Sequence, residues 1–105
     1  MKIIKPSEVE LINNKFGLIA KKVYSKEEAE IMYISLKEQQ ELPAHATPVD
    51  VIFYIIEGSG EITIGEETEK VEQGMLIESP KDIPHGLKNI GKGNYSFLVI
   101  KTPRP

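Results

Sequence analysis

Residues 51–56, VIFYII, are apolar at every position and run through Glu57 into Gly58-Ser59-Gly60 and then EITIG. Successive strand side chains point to opposite faces, so Val51, Phe53 and Ile55 look one way and Ile52, Tyr54 and Ile56 the other. An apolar residue on both faces requires cover on both faces. In a small β protein that means a barrel interior on one side and a second sheet or another subunit on the other. The Gly-Ser-Gly break, followed by alternation at Ile62 and Ile64, reads as a hairpin.

The remaining β-branched and aromatic residues cluster in similar short runs bounded by Gly, Pro, Asn and Asp: 16–24, 31–36, 49–56, 60–65, 75–78, 87–89 and 95–101. Seven short strands favour an all-β sandwich or barrel over alternating β and α units. The one helix-like stretch, SKEEAE at 25–30, pairs Ser25 with Glu28 as a capping box would, but reads as a charged turn between two strands. A chain of 105 residues is most economically one domain, 1–105, with a single core.

Composition removes several classes of function. The chain has no cysteine, which excludes disulfides, thiolate metal sites and cysteine nucleophiles and fits a reducing compartment. A net charge of -3, with lysines scattered among acids, provides no basic patch for nucleic acid. No apolar run approaches the roughly 20 residues of a membrane span. The start, MKIIKPSEVE, interrupts its apolar pair with Lys5 and Pro6, unlike a signal peptide. A cytoplasmic protein that contacts neither membrane nor nucleic acid is therefore expected.

Two segments carry a recognisable pattern. Gly74, Pro80, His85 and Asn89 fit G-x5-P-x-G-x2-H-x3-N over sixteen residues without a gap, with Asp82 in place of the internal glycine. In these residues, and in YIIEGSGEITIG, the chain resembles the cupins, small antiparallel jelly-roll barrels also described as double-stranded β-helices. The resemblance covers about residues 30–101, with motifs at 39–90 and leading strands within 1–36. The family's first motif, G-x5-H-x-H-x3,4-E-x6-G, is matched only at His45 and Gly58. Gln39 stands at its leading glycine, Thr47 at its second histidine and Val51 at its glutamate.

In that family the motifs usually supply three histidines and a glutamate to a metal, of which His45 and His85 remain here. A catalytic zinc or iron site normally has at least three protein ligands. Asp50, adjacent to the vacated glutamate position, is the candidate third ligand if a bulge turns it inward; simple alternation turns it outward. The expected cofactor is thus a weakly held divalent transition metal (iron, nickel, copper, manganese or zinc) or none. The resemblance places His45 and His85 at one barrel mouth. Parity adds Thr47, Val51, Phe53 and Ile55 to the pocket, and Leu87 and Asn89 beyond His85, with Asn89 suited to satisfying nearby backbone.

Two readings of function follow. In the first the protein is a small-molecule-binding or sensing cupin whose pocket keeps two histidines, able to hold an anionic or hydroxylated ligand. In the second it is a metal-dependent dioxygenase or isomerase acting on a small polar metabolite, with His45 and His85 as ligands or as base and acid. The doubly apolar strand, the run IMYISL and the resemblance together imply a homodimer formed through a sheet face.

Overall fold

In the computed structural model, which describes residues 1–105, two antiparallel sheets face each other and enclose one core. The strands are β1 (Ile19–Lys26), β2 (Ala29–Leu36), β3 (Glu41–His45), β4 (Asp50–Glu57), β5 (Ser59–Ile64), β6 (Glu67–Glu72), β7 (Leu76–Ser79), β8 (His85–Lys88) and β9 (Tyr95–Thr102). One sheet has the order β1-β2-β9-β4-β7 and the other β3-β8-β5-β6, the crossing connections of a jelly roll. A single 3-10 turn, Pro6–Glu8, precedes them, and no helix is long and apolar enough to cross a membrane. The all-β reading and the jelly-roll architecture hold.

The alternation on β4 is as expected: Val51, Phe53 and Ile55 are fully buried, whereas Tyr54 is exposed and Ile52 and Ile56 are half-buried. Tyr95, Phe97 and Val99 of β9 and Ile34 and Leu36 of β2 meet them from the same sheet, and Ile62, Val71 and Leu87 meet them from the other. Burying each large side chain fully contributes on the order of 1.5–3 kcal/mol, so these residues define which face of every strand is inward.

Three expectations need correction. The Gly58 break is not a hairpin, because β4 pairs with β7 and β9 while β5 pairs with β6 and β8. The chain instead crosses from one sheet to the other there. A register shift between Ile55 and Glu57 bends the strand, and Gly58, at φ +73, passes so close to the Asn94 carbonyl that a Cβ would collide with it. Sheet corners are made by bulges and kinks of this kind. The two-residue hairpins lie elsewhere, at Glu27-Glu28 between β1 and β2 and at Gly65-Glu66 between β5 and β6.

The second correction is two additional strands, β3 and β6, both at a sheet edge. β3 (ELPAH) contains Pro43, which an edge strand tolerates because the missing N–H need not face a partner. β6 (ETEKVE) buries only Val71 and presents charge elsewhere, the ordinary defence of a free edge. The third is that the first strand begins at Ile19; Asn14 organises the turn before it, its side-chain oxygen accepting from the N–H groups of Phe16 and Leu18 and its amide donating to the Ile12 and Leu18 carbonyls.

Candidate functional site

His45 ends β3 and His85 begins β8, and the two are directly opposite each other across that antiparallel pair. A register shift between Leu42 and His45 sets this alignment. Their rings meet edge to face with centroids 4.8 Å apart, and Phe53 of β4 packs edge-on against His85 at 5.0 Å. Histidines 40 positions apart in sequence therefore become a cross-strand pair.

The two rings differ in environment. His85 is buried, and both of its nitrogens are held by hydroxyls: Nδ1 by Ser79 Oγ at 2.9 Å and Nε2 by Thr47 Oγ1 at 3.3 Å. Burial first, then the proximity of His45 and Lys101, lowers its pKa from 6.5 to about 4, so at neutral pH the ring is uncharged. His45 is exposed, and its Nδ1 lies 3.0 Å from the Pro43 carbonyl. A carbonyl only accepts, so Nδ1 carries the proton and neutral His45 offers a free Nε2 lone pair.

A cavity of about 190 Å³ lies against both rings, walled by Met32, Ile34, Leu42, Phe53 and Val99 and by Lys101 of β9. Lys101 Nζ is 3.6 Å from buried Glu30, whose other oxygen is 3.8 Å from Lys22. Both separations exceed hydrogen-bond length, and two lysines share one carboxylate, leaving one net positive charge beside the neutral His85. Lys101 thus lines the cavity while its ammonium is ion-paired with Glu30 and makes no hydrogen bond to it.

Of the residues expected to line the pocket, His45, Phe53 and His85 do so, and Thr47 reaches it through His85. Val51, Ile55 and Leu87 face inward but are packed into the core and do not line the cavity. Asn89 is spent on backbone: its amide donates to the Leu36 and Gly93 carbonyls, and its oxygen accepts from Gly91 N–H. Asp50 does not join the histidines. It is exposed, on the outer face of β4, and its Oδ1 accepts from the Lys81 N–H at 2.9 Å, which fixes the turn before His85.

The donor set at the mouth is therefore two imidazoles, one with both nitrogens engaged, and no group of three histidine or carboxylate side chains converges anywhere in the chain. Such a set does not fit the three-or-more-ligand centre that the resemblance implies. Sequence reasoning missed Lys101, Glu30, Met32, Leu42 and Ser79. Lys101 was within reach, because it follows Phe97 and Val99 at the inward spacing of two.

A closed pair of sheets with a polar mouth defines the class of protein as a double-stranded β-helix barrel. The Cupin domain family matches residues 32–101, and the chain belongs to that family. A segment of 52 residues is 36 % identical to the uncharacterised protein MJ1618 of Methanocaldococcus jannaschii, covering 50 % of this chain and 42 % of that relative, so the match spans less than half of its length. The solved structure of TT1209 from Thermus thermophilus is similar over 100 % of both chains at 25 % identity, with a TM-score of 0.86. KdgF from Halomonas shares the fold at 16 % identity, with a TM-score of 0.88 over 99 % of this chain and 96 % of that one.

Proposed function

We propose that the protein is a ligand-binding or sensing cupin that holds a small anionic molecule at the barrel mouth without a metal centre. The observation that carries this reading is Lys101, the one cationic side chain lining the cavity, set among apolar walls beside neutral His85. An anion there gains a charge-assisted hydrogen bond from Lys101, in a setting less screened than the surface. Ser79 and Thr47 hold the His85 ring in place from both sides.

The test is thermal denaturation at neutral pH with acetate, lactate and phosphate, alongside titrations with iron, nickel, copper, manganese and zinc. Stabilisation by at least one of the anions, lost in Lys101→Gln, is the expected result, with no stoichiometric metal binding at micromolar concentration. Tight metal binding that disappears in both His45→Ala and His85→Ala would replace this reading with the metalloenzyme one.

A further inference from the structure

The histidine cavity is not isolated. A second cavity of about 490 Å³ lies between β1, β3 and the turn formed by Asn14 to Phe16. It shares three walls with the first, Ile34, Leu42 and His45. These three residues border both spaces, and the His45 Nδ1 is turned to the Pro43 carbonyl.

The two spaces differ in chemistry. The smaller one is lined by Lys101 and by the buried imidazole of His85. The larger one is walled by Phe16, Leu18, Ala20 and Pro43, together with the shared Ile34 and Leu42. It has no acidic side chain. Its polar residues other than His45 are Asn14, whose side chain already makes four backbone hydrogen bonds, and Lys15, whose ammonium sits 5.3 Å from the Phe16 ring centroid. Away from the exposed Lys15 ammonium, a polar ligand group placed there would lose water without gaining a partner, whereas an alkyl or aryl group would gain burial.

We infer that the two cavities form one bipartite site for an amphiphilic monocarboxylate, its carboxylate at Lys101 and its apolar tail between β1 and β3. This rests on the anion reading above and adds the ligand class. It also gives His45 a role at the junction, where the head group meets the tail. Together the two spaces fall within the roughly 300–1,000 Å³ typical of small-molecule sites.

The test is an NMR titration of the ¹⁵N-labelled protein at neutral pH with straight-chain acids from acetate to octanoate, with octanol as the uncharged control. Affinity is expected to rise about fourfold per added methylene until the tail space is filled. Amide shifts at residues 14–18 should respond to the longer acids and not to acetate. Lys101→Gln should reduce octanoate affinity at least tenfold while Lys101→Arg retains most of it, and Ala44→Phe, which fills the tail space, should remove the dependence on chain length. Circular dichroism of each variant establishes that it is folded. Binding of acetate with no gain on lengthening would overturn this inference and leave the anion reading standing. Failure of every acid to bind would end both, and octanol binding as tightly as octanoate would overturn the assignment of the head group to Lys101.

Discussion

His85 illustrates how one residue can be identified from sequence while its state cannot. The spacing of Gly74, Pro80 and Asn89 around it is enough to mark the position, but not that the hydroxyls of Ser79, within the same motif, and of Thr47, 38 residues away, hold its ring. The glycine positions of the same motifs show the converse. Gln39 and Asp82 stand where the family pattern has glycine, and both keep the left-handed backbone, at φ 68 and 66. Losing those glycines thus leaves the path of the chain intact, at a conformational cost that aspartate bears more easily than glutamine. Replacing ligands by Thr47 and Val51 alters the chemistry. The neutral state of His85 predicts a specific acid response. Above pH 6.5 neither the folded nor the unfolded chain protonates this ring. Below that the unfolded chain takes up a proton that the folded state resists until about pH 4, so stability falls across that window. The expected loss is about 2–3 kcal/mol between pH 7 and 4. Chemical denaturation over that range should show a steeper decline for the wild type than for His85→Asn, and the His85 ring resonances should titrate near the low end. A midpoint close to 6.5 would mean that the ring is not desolvated as described.

Strands were legible in proportion to how much of each is buried. β4 and β9 place long apolar runs in the core, and their positions and inward faces could be read directly. β3 and β6, with little or no buried side chain, gave no such signal, and β3 is the strand that delivers His45. The Gly58-Ser59-Gly60 segment was misread because glycine marks a sharp change of direction without saying which strand will be the next neighbour. What these glycines do is fixed by non-local packing. A Cβ on Gly60 would enter the ring of fully buried Tyr95 and lie 2.8 Å from the Lys88 carbonyl. The Tyr95 hydroxyl donates to the Glu61 carbonyl, and burial pushes its phenol pKa up, so the ring has little freedom to move aside. Gly60→Ala should therefore cost about 1–3 kcal/mol through overpacking, a drop of roughly 4–8 °C in Tm for each kcal/mol in a domain of this size. Combining it with Tyr95→Leu should be less damaging than the sum of the two single changes, because the shorter side chain makes room for the new methyl. Differential scanning calorimetry of the four proteins measures this coupling, and strict additivity would show that the ring is not what restricts residue 60.

At the scale of the molecule, the inner face of the five-stranded sheet is accounted for and its outer face is not. Cross-strand register places Tyr33, Leu98, Tyr54 and Leu76 in one row across four strands, and Ile31, Ile100 and Ile52 in the next. Tyr54 is 36 % exposed and Leu76 65 %, and the other five are half-buried, so a continuous apolar surface faces solvent in a single chain. Exposed apolar area of this extent marks an association surface, and a flat sheet face that is its own complement suits a two-fold contact. We propose that a second copy covers it, burying on the order of 800 Å² per chain as standard stable interfaces do. The five-stranded sheet lines the histidine cavity with the alternate positions, Met32, Ile34, Phe53, Val99 and Lys101, so such a dimer would not cover those side chains. Multi-angle light scattering at tens of micromolar should give twice the 11.8 kDa of one chain. Tyr54→Lys combined with Leu98→Lys would bring like charges together across the two-fold and should yield a folded monomer that still binds its ligand. A wild-type mass of a single chain at that concentration would rule the interface out, whereas a dimer that survives both lysines would place the contact on another surface, such as the exposed β6 or β3 edge.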